Sequence, residues 1–199
     1  MYHKLKMLLL FSGFRMSTRS LQRYASLYNM PCYTIPFDVK NLWIEPDFDD
    51  LKDVMETDKL HVHCLSGGVL QYSRLLNKHE VLKKKVVSEF FDNPSHSRGM
   101  INVIHEATKI SPRTCYRLAD FLFPDAFNHA TEFTKHPLIN GCKRVVIRSR
   151  NDTISPPKTI TELIDNWNID TVWENDCTHL NSLRTHPEMY KDYINQIIS

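Results

Sequence analysis

Ser66, Asp152 and His179 occur in that order along the chain, each just beyond a short apolar run. A serine hydroxyl is a weak nucleophile until a neighbouring base removes its proton, and a histidine oriented by a carboxylate is suited to that work. The stretch around Ser66 is the most specific of the three. Leu60-His61-Val62-His63 reads as a short strand, and Val69, Leu70, Tyr72, Leu75 and Leu76 recur at helical spacing just after it. Ser66 therefore falls where a strand turns sharply into a helix. Gly67 and Gly68 follow it in a chain that holds only 5 glycines, and glycine is the residue that tolerates a strained turn. This is the context of a nucleophile elbow, in which the backbone N–H after the serine opens a helix and can bind an oxyanion. Gly68 fills the second glycine of G-x-S-x-G, while Cys64 stands in place of the first. A serine that only N-caps a helix would carry some of the same features.

The elements around these residues follow from periodicity. Leu5 to Phe11 is a continuous apolar run, as in a central parallel strand covered on both faces. After the loop Ser12-Gly13-Phe14-Arg15, Ser17 or Thr18 can cap a helix carrying Leu21, Tyr24, Ala25, Leu27 and Tyr28. Further strands are expected at Cys32 to Ile35, Lys85 to Phe91, Lys143 to Ser149 and Ile169 to Trp173. Helices are expected from Pro46 and Asp47, from Pro157 and from Pro187. Residues 95–141 are irregular and helical, with Phe121, Phe123, Phe127 and Phe133. Strands alternating with helices imply an α/β fold, with a parallel sheet of about six strands wound by right-handed crossovers. Chemistry in such sheets collects at the carboxyl ends of the strands. Ser12-Gly13-Phe14, Ser66, Asp152 and His179 all fall there.

Composition narrows the function classes. The chain has 199 residues, 42% of them hydrophobic and 24% charged, which fits one domain with a sizeable core. A net charge of +2 gives no footprint for nucleic acid. Cys32, Cys64, Cys115, Cys142 and Cys177 are odd in number and form no C-x-x-C, so reduced, intracellular thiols are expected, in cytoplasm or nucleus. The run Met7 to Phe11 is too short to span a bilayer, so no transmembrane segment is expected. His61 and His63 share one strand face, as two metal ligands can, but no further ligand lies at suitable spacing and no metal or cofactor is expected. Lys83-Lys84-Lys85 reads as a solvated turn, and Cys64 as a packed thiol.

Several blocks together resemble transmembrane protein 53 and its relatives, a branch of the α/β-hydrolase superfamily. The elbow His63-Cys64-Leu65-Ser66-Gly67-Gly68 is similar to that family's H-x-F-S-N-G-G, with Gly67 in place of the asparagine and Val69 in place of its last glycine. Phe91-Asp92-Asn93-Pro94 resembles the end of the family's fourth strand, and Ser149-Arg150-Asn151-Asp152 its acid loop. Cys177-Thr178-His179 and the following residues through Pro187 and Tyr190 resemble its last block, and Leu21 to Tyr28 an early one. The resemblance implies a single α/β-hydrolase-like domain over residues 1–199, a three-layer sandwich with residues 95–141 as a helical cap.

On this reading Ser66 is the nucleophile, His179 the base and Asp152 the acid that orients it. Asp92 is the main rival acid, because it also ends a strand near the same edge, and Asp176 a weaker one. The backbone N–H groups of Gly67 and Phe14 would form the oxyanion hole. The expected function is a metal-independent serine hydrolase acting on a small carboxylic ester, thioester or related acyl substrate. The alternatives are a catalytically inactive relative that serves as an interaction or regulatory scaffold, and a module that binds a small ligand without turnover. The sequence names no protein partner.

Overall fold

The structure, a computed structural model, describes residues 6–14, 16–37, 51–95, 105, 109–111, 113–115, 117, 139–165 and 167–199. Six strands form one sheet: β1 (Lys6–Phe11), β2 (Cys32–Ile35), β3 (Lys59–Leu65), β4 (Val86–Asp92), β5 (Lys143–Ser149) and β6 (Thr171–Asn175). All pair in parallel, in the order β2-β1-β3-β4-β5-β6. The described helices are α1 (Thr18–Ala25), α2 (Lys52–Glu56), α3 (Gly68–Lys78), α4 (Glu80–Lys83), α5 (Pro157–Ile164), α6 (Ser182–Thr185) and α7 (Pro187–Ile198).

The sheet is covered on both faces, which explains the apolar runs. Leu8, Leu9, Leu10 and Phe11 of β1 are all at most 1% exposed. Leu9 and Phe11 pack with Val69, Tyr72, Leu75 and Leu76 of α3 and with Ile160 and Leu163 of α5. Leu8 and Leu10 pack on the other face with Leu21 and Tyr24 of α1 and with Tyr190, Ile194 and Ile197 of α7. Each such aliphatic side chain contributes about 1.5–3 kcal/mol when fully buried. The α3 face also holds a buried ion pair between Arg144 and Glu89, with the Tyr72 hydroxyl donating to Glu89 Oε1 at 2.6 Å.

Winding reverses between β1 and β3. The chain leaves β1 for β2 on one side and returns to β3 on the other. Loops after two such strands diverge, opening a crevice at their carboxyl ends. The loop after β1 and Ser66 after β3 meet there.

Several boundaries differ from the sequence reading. β3 runs on to Leu65, and β4 begins one residue later and extends to Asp92. β6 is displaced by two residues, because Asp170 is held at its start: its N–H donates to Arg144 O at 3.0 Å, and its carboxylate accepts from Arg144 N at 2.6 Å. Lys85 is not simply solvated. Its ammonium donates to the carbonyls of Met55 and Thr57, both at 2.6 Å, and so secures the end of α2. The helix start at Pro46 and Asp47, and Phe121, Phe123, Phe127 and Phe133 of the expected cap, lie outside the described residues. Among the described residues no helix is long and apolar enough to cross a membrane.

Candidate active site

Ser66 follows β3 with φ of 50°, a left-handed conformation that a serine adopts only under constraint. The constraint comes from both sides. Ser66 N donates to Asp92 O at 3.0 Å, and Ser66 O accepts from Ser95 N at 3.2 Å. Gly68 then lets α3 press against the loop after β1. A Cβ on Gly68 would lie 2.7 Å from Ser12 O and 2.8 Å from Phe11 O, closer than any side chain can stand. The position of Cys64, by contrast, faces α3 in a fully buried apolar layer that accommodates a thiol. Burial and the Glu89 carboxylate push that thiol well above its ordinary pKa, so it is inert packing.

The Ser66 hydroxyl lies 2.8 Å from His179 Nε2, and His179 Nδ1 lies 2.6 Å from Asp152 Oδ2. Ser66 is 6% exposed and the His179 side chain 14%, so the line of groups is sheltered, with the imidazole its more exposed part. Asp152 is fixed through its other oxygen: Oδ1 accepts from the N–H groups of Ile154 and Ser155, both at 2.8 Å. That turn leaves Oδ2 directed at the imidazole. His179 is set by the loop after β6. Asn175 Oδ1 accepts from Cys177 N at 3.0 Å, Asn175 Nδ2 donates to Ser182 Oγ at 2.9 Å, and Leu180 takes φ of 52°.

Asp92 lies on the same sheet edge but bonds elsewhere. Its Oδ2 accepts from the Tyr190 hydroxyl at 2.6 Å, and its Oδ1 from Asn93 Nδ2 at 2.9 Å. Burial lifts its pKa to about 6, against the downward pull of those donors. Asp176 is 75% exposed and pairs with Arg150. The loop after β1 abuts the serine: a Cβ on Gly13 would stand 3.1 Å from Ser66 Cβ. Phe14 in that loop packs edge-on against Phe37, whose ring lies 3.3 Å from where a Gly67 Cβ would be. The Phe37 ring thus stands between Phe14 and Gly67, the residue that follows Ser66.

His61 and His63 do share a face of β3, with hydroxyls for partners. His61 Nδ1 meets Ser88 Oγ at 2.8 Å, while His63 Nδ1 meets Tyr28 at 2.9 Å and Nε2 meets Tyr190 at 3.1 Å. Burial lowers the His63 pKa to about 3, and burial with Lys6 and Lys59 lowers that of His61 to about 4. Among the described residues no group of three or more histidine, cysteine or acidic side chains is arranged to hold a metal. Sequence reasoning missed Asn93, Asn175 and the polar role of Tyr190. The pair Asn93-Pro94 at a strand end was a usable signal, since asparagine tolerates the left-handed turn that Asn93 adopts at φ of 46°.

No family model matches the chain, and no curated protein matches it by sequence. Solved structures do match. An esterase of Pyrococcus furiosus is 16% identical, with a TM-score of 0.64 over 97% of this chain and 82% of that one. An alpha/beta hydrolase enzyme from a Medee basin deep-sea metagenome library is 13% identical, with a TM-score of 0.62 over 100% of this chain and 90% of that one. The enol-lactonase of Burkholderia xenovorans LB400 is 12% identical, with a TM-score of 0.60 over 98% and 92%. These are α/β-hydrolase superfamily members, and the six-stranded parallel sheet with helices on both faces gives this chain the α/β-hydrolase fold.

Proposed function

We propose that the protein is a serine hydrolase of the esterase or acyl-hydrolase type, acting on a carboxylic ester, thioester or related acyl substrate. The observation that carries this reading is the continuous line from Ser66 Oγ through His179 to Asp152, at 2.8 and 2.6 Å. His179 Nε2 takes the serine proton as Oγ bonds to the acyl carbon. The protonated histidine then gives that proton to the departing alkoxide or thiolate. Water attacks the acyl-enzyme with its proton going to His179, and the acid is released as the proton returns to Ser66. Asp152 holds the imidazole in the required tautomer and stabilises the imidazolium. The N–H groups of Gly67 and Phe14 receive the developing oxyanion, one from the start of α3 and one from the loop after β1. No step needs a metal, and the nitrogens of His63 are both engaged by tyrosine hydroxyls. The block resemblances of the elbow, the acid loop and the last block are what support a further proposal, that the chain is of the transmembrane protein 53 branch.

A fluorophosphonate probe, which phosphonylates an activated serine, tests this reading. Labelling of the wild type that vanishes in Ser66→Ala, with ester turnover unaffected by a chelator, is the expected result. Absence of labelling together with no turnover across an acyl panel would favour a scaffold. Activity abolished by the chelator and restored by zinc would overturn the serine mechanism.

A further inference from the structure

Behind the serine lies a buried polar chain that the reaction above does not use. It runs from the Tyr28 hydroxyl to His63 Nδ1 at 2.9 Å, and from His63 Nε2 to the Tyr190 hydroxyl at 3.1 Å. From Tyr190 it reaches Asp92 Oδ2 at 2.6 Å. Asn93 closes the far side, donating to Asp92 Oδ1 at 2.9 Å while its own Oδ1 accepts from Ser149 N at 2.8 Å. His63, Asp92 and Asn93 are all 0% exposed, and so is Tyr190.

The donors fix the direction of this chain. An ionised Asp92 can only accept, so Tyr190 donates to it. The Tyr190 oxygen then accepts from His63 Nε2, and His63 Nδ1 accepts from Tyr28. That requires a neutral imidazole with its single proton on Nε2, and burial keeps His63 neutral. Each proton along the line from Tyr28 to Asp92 then has one acceptor. An apolar core would be simpler here, and a buried carboxylate without a cation is costly. Asp92 is also joined to the nucleophile through the backbone, since its carbonyl accepts from Ser66 N.

We propose that Asp92 is a positioning residue of the active site, a second buried carboxylate held by Tyr190 and Asn93, whose negative charge favours the imidazolium that His179 becomes. The inference rests on the serine-hydrolase reading. The titratable groups that face Asp92 are His63 from β3, Tyr24 from α1, Tyr28 from the turn after α1 and Tyr190 from α7. Among the described residues, Asp152 after β5 and His179 after β6 complete the set. A positive His179 favours the Asp92 carboxylate, and the interaction is reciprocal, while Asp152 opposes it. In a buried site such a charge is weakly screened. Asp152 therefore holds the imidazole by contact, and Asp92 acts on it through the field. When Asp92 takes a proton, that assistance is lost.

The test is the rate of fluorophosphonate labelling at Ser66 against pH, from about pH 5 to about pH 9. The wild type should lose rate in two ionisations on the acid side, one of them near pH 6. Asp92→Asn should lose one ionisation and lower the plateau by about tenfold. Tyr190→Phe removes a donor from the carboxylate, so the Asp92 ionisation should move to higher pH. These two variants shift the acid limb in different ways, whereas a purely structural role would lower both plateaus and leave the limb in place. A limb unchanged in both folded variants overturns the proposal and leaves the nucleophile assignment standing. Failure of the wild type to label at any pH overturns the hydrolase reading and this inference with it. If Asp92→Asn does not fold, Tyr190→Phe alone decides through the direction of its shift.

Discussion

Asp152 uses its two carboxylate oxygens for different tasks, one closing a turn and one meeting the imidazole. Asp152→Asn can keep the turn, because an amide oxygen still accepts from Ile154 and Ser155, while presenting either the wrong group or the wrong tautomer to His179. We expect kcat to fall on the order of 10⁴-fold, with the unfolding temperature little changed. A fall of less than about tenfold in steady-state kinetics would remove Asp152 from the mechanism. Much of this geometry was legible beforehand. The order Ser66, Asp152, His179 and their placement after strands needed only periodicity and turn chemistry. The competition between Asp152 and Asp92 was not legible, because both end strands on one edge. Which of them meets the histidine is decided by Tyr190, 98 residues from Asp92 in sequence, which satisfies Asp92 from α7.

The elbow and the loop after β1 are one mechanical unit. Gly68, two residues beyond Ser66, allows the first turn of α3 to sit against the carbonyls of Phe11 and Ser12. Gly68→Ala places a methyl against backbone that cannot yield without moving β1. We expect a destabilisation of about 1–3 kcal/mol by chemical denaturation, and a disproportionate loss of probe labelling. Unchanged stability and labelling would mean that the two loops adjust independently. Strands with continuous apolar character, such as Leu8 to Phe11, were readable because both faces are covered. β6 was misplaced by two residues because its limits are set by Asp170 and Asn175, polar residues satisfied by Arg144 on β5 and by Ser182 at the start of α6. Hydrophobic pattern alone gives no sign of such bonds.

Across the molecule, buried titratable groups oppose one another as pH falls. The unfolded chain protonates His63 below its ordinary 6.5, whereas the folded chain resists until about 3, so stability drops through that window. His61, held to about 4, acts in the same direction. Asp92 acts oppositely: its folded carboxyl takes a proton near 6, above the ordinary 3.8, so its contribution is present at low pH and lost as pH rises through about 6. Two histidines against one carboxyl predict a net fall in Tm on acidification from pH 6.5 towards 4. The fall should be steeper in Asp92→Asn, which lacks the opposing group. Thermal unfolding across that range checks both slopes, and a Tm that rises on acidification would contradict the assignment of neutral buried histidines. The distance along the chain between the reacting groups has a further consequence, in time. Ser66 and His179 meet from 113 residues apart, across a sheet whose neighbouring strands are never joined by a tight hairpin. Closing such separations is slow, because chain entropy is lost before distant contacts repay it. During refolding, reactivity towards the fluorophosphonate should therefore return after helical circular dichroism, which makes Ser66 a clock for the last strand to dock.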